Sequence, residues 1–259
     1  MTLKDTVCIV TGSAAGIGAA CAEGLAAQGG RVVVNYSKSD KEARAVAAAC
    51  EARGGQAIVV QADVASDADC RKLAQAALDK WGRIDALVNN AGVTKFAQHA
   101  DLDALQAADF QYIFGVNVVG AFQMVRAVAP AMQKQGKGAV VNVSSVAGVL
   151  GVGSSVAYAA SKGALNTMTL SLARALGPAI RVNAVCPGFV ETGWLKNGLG
   201  PTYQKQKESY EAMTPLKTVL TPEDVADTVL WLLQGAGKMT GEVIMLDGGL
   251  HLGFVNHAR

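Results

Sequence analysis

The sequence of 259 residues is poor in cysteine, in aromatic residues and in charge of either sign. Its five cysteines are scattered and include no Cys-x-x-Cys pair, so neither a disulfide framework nor a zinc site is predicted. The histidines, His99, His251 and His257, lack the spacing of metal ligands, and we expect them at the surface or in the tail. We predict no bound metal.

Charge and hydropathy argue against two further classes of protein. Charged residues make up 17% of the chain and the net charge is +2, without a dense basic run that would bind nucleic acid. The first apolar run, which ends before Thr11, is shorter than the apolar region of a signal peptide, and no 18 apolar residues follow one another. We therefore expect a cytoplasmic protein that uses neither nucleic acid nor a membrane.

Apolar residues make up 51% of the sequence, in short β-branched runs that alternate with longer alanine-rich stretches. The short runs are continuous rather than alternating, which is typical of strands covered on both faces. They predict strands at Val7–Val10, Val32–Val34, Ala57–Val60, Ala86–Val88, Ala139–Val143, Ile180–Val185 and Val243–Leu246. The longer stretches predict helices at Ile17–Gln28, Asp40–Arg53, Asp67–Trp81, Asp103–Gln133, Val156–Leu176 and Pro222–Leu233.

Strand and helix alternate along the whole chain, which predicts a parallel sheet with right-handed crossovers. No repeat or proline- and glycine-rich linker divides the chain, so we predict one domain over residues 1–259. The predicted fold class is α/β: a single-domain, Rossmann-type, doubly wound parallel sheet of about seven strands with helices on both faces. Asp40, Asp67, Asp103 and Thr221 are placed to cap helices.

Residues 193–220 contain mostly glycines and polar side chains, between the sixth predicted strand and the last predicted helix. They form either a surface loop with a short helix or a substrate lid, because loops at the carboxyl ends of parallel strands build the site. Tyr203 and Lys207 lie four residues apart in this segment, and we expect them to be an exposed pair without a chemical role.

A glycine cluster, TGSAAGIG, follows the first predicted strand and opens the first predicted helix. Gly12, Gly16 and Gly18 allow a sharp turn and let a pyrophosphate approach main-chain N–H groups at a helix N-terminus. The spacing is G-x-x-x-G-x-G rather than the usual G-x-G-x-x-G. Turn chemistry alone would explain three clustered glycines, but their place between strand and helix predicts a dinucleotide-binding loop.

The end of the second strand meets the adenosine ribose in such sites, and an acidic residue there favours NAD. Here Tyr36, Ser37 and Lys38 stand at that point, and the first acid is Asp40. A hydroxyl and an ammonium group suit a 2′-phosphate. The sequence therefore favours NADP(H), while NAD(H) stays open if Ser37 and Lys38 are ordinary loop residues.

Tyr158 and Lys162 are four residues apart in a predicted helix and therefore share one face. A nearby ammonium favours phenolate, so we expect Lys162 to lower the pKa of Tyr158 and to make the phenol useful in proton transfer. Ser145 ends the fifth strand, where its hydroxyl can donate to a substrate carbonyl, whereas Ser144 is expected to cap the strand. Cys186 has no histidine partner and is expected to be buried and structural.

Together these motifs resemble the short-chain dehydrogenase/reductase family. The resemblance extends from about Thr6 to Gly249 and is carried by TGSAAGIG, Asp63-Val64, NNAG at Asn89–Gly92, Asn117, Ser145, YAASK at Tyr158–Lys162, PGFVET at Pro187–Thr192 and LDGG at Leu246–Gly249. Within the family, YAASKGAL and PGFVET are similar to the 3-oxoacyl-[acyl-carrier-protein] reductase branch.

The resemblance implies a catalytic set of Asn117, Ser145, Tyr158 and Lys162. Tyr158 exchanges the proton, Lys162 lowers its pKa and holds the nicotinamide ribose, Ser145 orients the carbonyl, and Asn117 anchors a water that connects Lys162 to solvent. The implied cofactor-binding residues are Gly12, Ser13, Ala15, Gly16, Ile17, Gly18, Tyr36, Ser37, Lys38, Asp63, Val64, Asn90, Ala91, Gly92, Tyr158, Lys162, Pro187, Gly188, Val190 and Thr192.

The implied function is NADP(H)-dependent hydride transfer between nicotinamide and a ketone or secondary alcohol, with a 3-oxoacyl thioester as one candidate. Members that dock acyl carrier protein present basic residues beside the site, and the matching stretches here offer only Lys134 and Lys137. A small-molecule or coenzyme-A-linked ketone therefore fits equally well. The alternative from another class is a non-catalytic dinucleotide sensor on the same fold. Family members are often oligomers, so we expect a tetramer or dimer with Asp103–Gln133 as a candidate interface.

Overall fold

Seven parallel strands form one sheet at the centre of the molecule, in a computed structural model that describes residues 2–253. Their spatial order is β3-β2-β1-β4-β5-β6-β7. The strands are β1 (Val7–Val10), β2 (Arg31–Tyr36), β3 (Gln56–Gln61), β4 (Ala86–Asn89), β5 (Gly138–Val143), β6 (Ile180–Pro187) and β7 (Val243–Leu246). The predicted parallel, doubly wound sheet is confirmed.

Ten α-helices accompany the sheet within the described residues. They are α1 (Gly16–Ala26), α2 (Asp40–Ala52), α3 (Asp67–Trp81), α4 (Ala107–Phe114), α5 (Ala121–Lys134), α6 (Ala147–Leu150), α7 (Val156–Leu176), α8 (Gly193–Leu199), α9 (Tyr203–Met213) and α10 (Pro222–Gln234). Apolar residues of α1, α2 and α10 pack on one face of the sheet, and those of α3, α5 and α7 pack on the other.

The register of the strands explains why their apolar runs are continuous. Ile9 pairs with Val33 on one side and with Leu87 on the other, and this row of side chains faces α3 and α5. The next residue of each strand, for example Val10 or Val88, faces α1 and α10. Because both faces are covered, both sets of side chains are buried, and each large apolar one contributes about 1.5–3 kcal/mol.

The sheet topology also determines where a ligand can bind. From β1 the chain moves outward to β2 and β3, and it then returns to place β4 on the other side of β1. The loops after β1 and β4 therefore diverge, which leaves a crevice at the carboxyl ends of these two strands. The glycine cluster follows β1, and the NNAG motif begins at the end of β4.

Three of the predicted helix caps are wrong. The N-caps of α2 and α3 are Ser39 and Ser66, one residue before the predicted aspartates. The Ser66 hydroxyl accepts a hydrogen bond from the Asp69 N–H, which leaves the Asp67 carboxylate to pair with arginines. The third, Asp103, lies in a short 3₁₀ turn, and α4 begins only at Ala107. Thr221 caps α10 as predicted, and it accepts from the Asp224 N–H.

The predicted helix Asp103–Gln133 is interrupted by a π-helical turn at Gly115–Gly120, which contains Asn117. Such turns occur often at functional sites because they displace side chains from the regular helical face. The whole run Ala107–Lys134 is long and apolar enough to cross a membrane, but core helices of soluble proteins pass the same test, and 56% of its most apolar window is buried.

Residues 193–220 are more structured than the sequence indicates, because α8 and α9 occupy most of the segment. Its base is held by two backbone hydrogen bonds, from Glu191 N–H to Leu220 and from Leu220 N–H to Phe189. Tyr203 and Lys207 are half-buried, so the expected exposed pair is wrong. The Tyr203 ring packs on Phe189, and Lys207 pairs with Glu191 at 2.9 Å.

Candidate active site

The glycine loop after β1 is held in place by two asparagines. The N–H of Gly12 donates to Oδ1 of Asn35 at 2.9 Å. The Asn90 side chain donates to the carbonyl oxygens of Thr11 and Gly12, both at 3.0 Å. A Cβ on Gly12 would lie 3.0 Å from the Cα of Ala91, and φ of +60° at Gly12 disfavours any side chain there. The loop therefore leaves main-chain groups close to the crevice, as binding a pyrophosphate requires.

A cavity of about 730 Å³ lies in this crevice, at the carboxyl ends of the strands. It is lined by most of the predicted cofactor-binding residues: Gly12, Ala15, Gly16, Ile17, Ser37, Lys38, Asp63, Val64, Asn90, Ala91, Gly92, Tyr158, Lys162, Pro187, Gly188, Val190 and Thr192. Ser145 of the predicted catalytic set also lines it. Its extent along the loops after β1, β2, β3 and β4 fits an extended dinucleotide.

Four of the predicted site residues do not line the cavity: Ser13, Gly18, Tyr36 and Asn117. The buried hydroxyl of Ser13 donates to the Val10 carbonyl and accepts from the Asn35 N–H. Gly18 packs beneath the loop, where a Cβ would lie 2.5 Å from Nδ2 of Asn90. The Tyr36 hydroxyl donates to Asp40 at 2.5 Å, away from the crevice. These residues shape the site from outside the cavity.

Tyr158 and Lys162 lie in the first turns of α7, whose N-cap Ser155 accepts from the Tyr158 N–H at 3.2 Å. Nζ of Lys162 donates to the Val143 carbonyl at 2.8 Å and lies 5.6 Å from the centre of the Tyr158 ring. Lys162 is only 4% exposed. The end of β5 thus holds the ammonium beside the phenol.

The two serines after β5 have different hydrogen-bond partners within the protein. The Ser145 hydroxyl accepts from the Ala147 N–H at 3.1 Å, and it also hydrogen-bonds to Tyr158. The Ser144 hydroxyl donates to the carbonyl of Lys162 at 3.2 Å, which ties the strand end to α7. The backbone capping bond therefore belongs to Ser145, and the predicted capping role of Ser144 is wrong.

The ionisation of the pair also differs from the expectation. Burial raises the pKa of Tyr158 to about 12, and only the hydrogen bond with Ser145 opposes this rise. Burial lowers the pKa of Lys162 to about 8. Desolvation disfavours the charged form of both groups, and it exceeds any gain from their proximity. The predicted lowering of the Tyr158 pKa by Lys162 is therefore wrong for this structure.

Asn117 connects the loop after β4 to the catalytic helix. Its Oδ1 accepts from the Val93 N–H at 2.8 Å, and its Nδ2 donates to the Val93 carbonyl and to the Ser161 hydroxyl, both at 3.0 Å. The side chain is buried and its hydrogen-bonding groups are used within the protein. Asn117 thus fixes Val93, which lines the cavity, in relation to α7.

Sequence reasoning missed Asn35, a buried asparagine inside an apolar strand. In addition to the Gly12 N–H, it contacts the carbonyls of Ala62 at 3.0 Å and Val60 at 3.3 Å through Nδ2. It thereby joins the glycine loop to the end of β3, where Asp63 follows. The available signal was a polar residue in a run of valines, since a buried amide needs partners.

Beyond Asn35, β2 ends at Tyr36 and is followed by exposed Ser37 and Lys38, both of which line the cavity. Lys38 forms no ion pair with any residue that the structure describes. Asp40 is held by Arg44 at 2.8 Å and by the Tyr36 hydroxyl, and these hydrogen bonds lower the pKa of its carboxyl. Thus the acid that follows Lys38 in the sequence is already paired.

Large apolar side chains line the opposite end of the cavity, and sequence reasoning named none of them individually, although three lie in the candidate lid at residues 193–220. Phe96, Val152, Trp194, Leu199 and Tyr210 line it. They come from the loop after β4, from the loop before α7, and from α8 and α9. No periodicity in the sequence marks these positions, because they meet only when the loops fold over the sheet.

Comparison with known proteins identifies the family to which the chain belongs. The family model described as enoyl-(acyl carrier protein) reductase matches residues 12–251. The chain belongs to the short-chain dehydrogenase/reductase family.

Two relatives and one solved structure illustrate the match. One relative is a Streptomyces violaceoruber protein whose name assigns it as ketoacyl reductase 2 of the granaticin polyketide synthase. It is 45% identical over 246 residues, which cover 95% of this chain and 96% of the relative. The 3-oxoacyl-[acyl-carrier-protein] reductase of Synechocystis is 38% identical over a match that covers 96% of this chain and 98% of the relative. A crystal structure of a Burkholderia xenovorans protein assigned to the same family superposes with a TM-score of 0.90 at 41% identity. The match covers 96% of this chain and 98% of that protein.

This short-chain dehydrogenase/reductase is an oxidoreductase that acts on a CH–OH or C=O group with a nicotinamide dinucleotide. The glycine loop and the residues after β2 and β3 fit the adenosine and pyrophosphate end of that cofactor. Tyr158 and Ser145 stand between this end and the apolar end. The cavity therefore has room for both a cofactor and a substrate carbonyl beside the phenol.

Proposed function

We propose that this protein reduces a ketone with NADPH, or oxidises the corresponding secondary alcohol with NADP⁺. The observation that carries the proposal is the hydrogen-bonded pair of Ser145 and Tyr158 in the cavity, with Lys162 buried beside the phenol. A sensor without catalytic activity could use Lys162 to bind the cofactor, but it would have no need of a serine hydroxyl placed beside a buried phenol.

The ionisation of the pair suits the reductive direction. When bound, reduced nicotinamide supplies a hydride, which carries two electrons to the carbonyl carbon, and the ring is oxidised. Tyr158 keeps its proton at neutral pH because its pKa is raised to about 12, so it can donate that proton to the carbonyl oxygen. The hydroxyl of Ser145 donates a hydrogen bond to the same oxygen, where negative charge develops. The product is a secondary alcohol.

The preference for NADP(H) over NAD(H) is supported by the end of β2. The exposed ammonium of Lys38 and the hydroxyl of Ser37 line the cavity, and a 2′-phosphate would receive charge-assisted hydrogen bonds from them. Asp40, two residues after Lys38, is paired with Arg44 and accepts a hydrogen bond from Tyr36. The rest of the predicted cofactor set that lines the cavity completes the proposed site.

We further propose a cytoplasmic homo-oligomer whose substrate is a small molecule or an acyl thioester. Tyr112, Val119 and Phe122 are large apolar residues left exposed along α4, the π turn and α5. Apolar residues grouped in this way are typical of interfaces between subunits. Residues 193–220, with α8 and α9, would act as the substrate lid over the apolar end.

Fluorescence titration with NADPH and NADH, followed by absorbance at 340 nm with ketones and 3-oxoacyl thioesters, tests this proposal. We expect tighter binding of NADPH and its oxidation by at least one class of carbonyl substrate. Tight binding without turnover on any carbonyl would instead support the dinucleotide sensor. Tighter binding of NADH would overturn the assignment of Ser37 and Lys38 and leave the catalytic assignment intact.

A further inference from the structure

The apolar end of the cavity contains an aromatic cluster, made of Phe96, Tyr158 and Trp194. The ring of Trp194, near the start of α8, lies 5.5 Å from that of Phe96 and 6.1 Å from that of the proposed proton donor Tyr158, measured between ring centres. Although it makes both contacts, Trp194 is 45% exposed and lines the cavity. Part of its ring surface therefore faces the space beside the reacting phenol.

The position of Trp194 is fixed by a close contact one turn along the same helix. A Cβ on Gly198 would lie 2.0 Å from Cε2 and Cζ of Phe96. Residues 194 and 198 share a helical face, so the Phe96 ring packs against Trp194 and against the backbone at Gly198 together. Thr192 caps the helix and accepts from the Leu195 N–H at 3.3 Å. The indole is therefore held in place and does not lie on a free loop.

The same end of the cavity offers no charged partner to a charged substrate. Among the described lining residues, only Lys38, Asp63 and Lys162 are charged. Lys38 and Asp63 follow β2 and β3 at the adenosine end, and Lys162 donates to the Val143 carbonyl. A carboxylate or phosphate placed beside Trp194 would therefore find no positively charged partner there.

We propose that the aromatic cluster makes this enzyme selective for an uncharged ketone that carries a flat ring, and that Trp194 is the specificity-determining residue. The inference rests on the proposed function and names the substrate class of the same site. The ring packs on the indole while the carbonyl reaches Tyr158 and Ser145. The reaction is unchanged: the carbonyl carbon receives the hydride, and the oxygen receives the Tyr158 proton.

Three ketones with ten carbons each separate shape from charge. 4-Phenyl-2-butanone is uncharged and carries a ring, and 2-decanone is uncharged with a linear chain. In 4-phenyl-2-oxobutanoate a carboxylate replaces the terminal methyl group of the ring compound. Aromatic pairs contribute beyond the area that they bury, so we expect kcat/KM for 4-phenyl-2-butanone to exceed that for 2-decanone by about twofold to tenfold. The carboxylate compound should be the poorest substrate.

Substitution of the indole tests its role directly. Trp194→Leu should raise KM for 4-phenyl-2-butanone, leave kcat nearly unchanged, and remove most of its advantage over 2-decanone. Trp194→Phe should retain the advantage. The matched control is Trp231→Leu, since Trp231 is 46% exposed but lies on α10 outside the cavity. An unchanged Kd for NADPH in each variant would show that the cofactor site is intact.

Equal efficiency with the ring and chain ketones, or a parallel loss on both in Trp194→Leu, would overturn the inference and leave the proposed reductase standing. If NADPH binds and none of the three ketones or a 3-oxoacyl thioester is reduced, the proposed function fails. In that case the inference is tested by the binding of 4-phenyl-2-butanone alone. 4-Phenyl-2-butanone should quench the fluorescence of the wild type more than that of Trp194→Leu, and equal quenching would overturn it.

Discussion

The ammonium of Lys162 donates to the backbone carbonyl of Val143 at 2.8 Å, so the catalytic helix is bonded directly to the end of β5. The bond places a positive charge in the interior, where burial lowers the pKa of Lys162 to about 8. A lysine in this state stays charged at neutral pH only at a cost to the folded protein. The site therefore contains a charge that opposes folding and a phenol that is kept protonated.

This relationship predicts a pH dependence of stability. The folded pKa of Lys162, about 8, lies below the model value of 10.5, so between these values the unfolded chain binds more protons and stability rises with pH. Relative to Lys162→Met, the wild type should gain about 2 kcal/mol of unfolding free energy between about pH 7 and pH 9.5. Urea unfolding at the two pH values measures this gain. The exposed-site variant Lys134→Met should keep the wild-type dependence, and a Lys162→Met variant that does so would contradict the prediction.

Removal of the Tyr158 hydroxyl should separate catalysis from binding. Tyr158→Phe keeps the ring that packs on Trp194 but has no proton to donate, so kcat should fall by at least about 100-fold. The Kd for NADPH, measured by fluorescence, should change less than about threefold. Tyr203→Phe is the control, because Tyr203 lies outside the cavity and its ring contact with Phe189 is retained. Similar losses in both variants would remove Tyr158 from its assigned role.

Loss of the Asn117 side chain should affect both stability and turnover. Asn117→Leu removes two hydrogen bonds from half-buried Val93, each worth about 0.5–1.5 kcal/mol, which should cost about 1–3 kcal/mol of unfolding free energy in total. Ser161→Ala removes only one of the contacts of Asn117 and should cost less. Urea unfolding and kcat measured on both variants, with their double mutant, would show whether the residues act together. If the unfolding costs of the two single variants add strictly in the double mutant, Asn117 and Ser161 do not act together.

The extent to which the sequence predicts this molecule depends on the range of the interactions involved. Continuous apolar runs in the sequence predicted the ends of every strand to within two residues, because strands covered on both faces are apolar at nearly every position. At most one short helix was expected in residues 193–220, where α8 and α9 lie, because this sequence is polar and contains glycines. The cap at Ser66 was assigned to Asp67, since both residue types cap helices and single-residue boundaries depend on backbone geometry.

The site shows the same division. Spacing within one helix predicted that Tyr158 and Lys162 are neighbours, whereas the direction of the Tyr158 pKa shift was wrong, because burial is a property of the whole fold. Asn35 and Trp194 were missed, because their partners lie far along the chain, at Gly12 and Ala62 for the first and at Phe96 for the second. Local patterns identify the reacting groups, and the groups that position them depend on long-range contacts.

Reversal of charge at Lys38 should change the choice of cofactor. Lys38→Glu removes the ammonium beside the proposed 2′-phosphate and adds repulsion, so the Kd for NADPH should rise at least about tenfold. The Kd for NADH, which lacks that phosphate, should change less than about twofold. Lys41→Glu provides a control for net charge, since Lys41 is exposed on the neighbouring helix and does not line the cavity. A similar loss of NADPH affinity in both variants would indicate long-range electrostatics rather than a direct contact.

Gly18→Ala should weaken both cofactors equally, although Gly18 does not line the cavity. The new methyl group would lie 2.5 Å from Nδ2 of Asn90 and 2.6 Å from the Gly12 carbonyl oxygen, so the glycine loop must shift. Such overpacking should cost about 1–3 kcal/mol of unfolding free energy and raise the Kd of NADPH and NADH at least about tenfold. In Gly237→Ala the added methyl group has no neighbour within 4 Å among the described residues, so both Kd values should stay unchanged. A loss confined to NADPH in Gly18→Ala would mean that the loop contacts the 2′-phosphate rather than the pyrophosphate that both cofactors share.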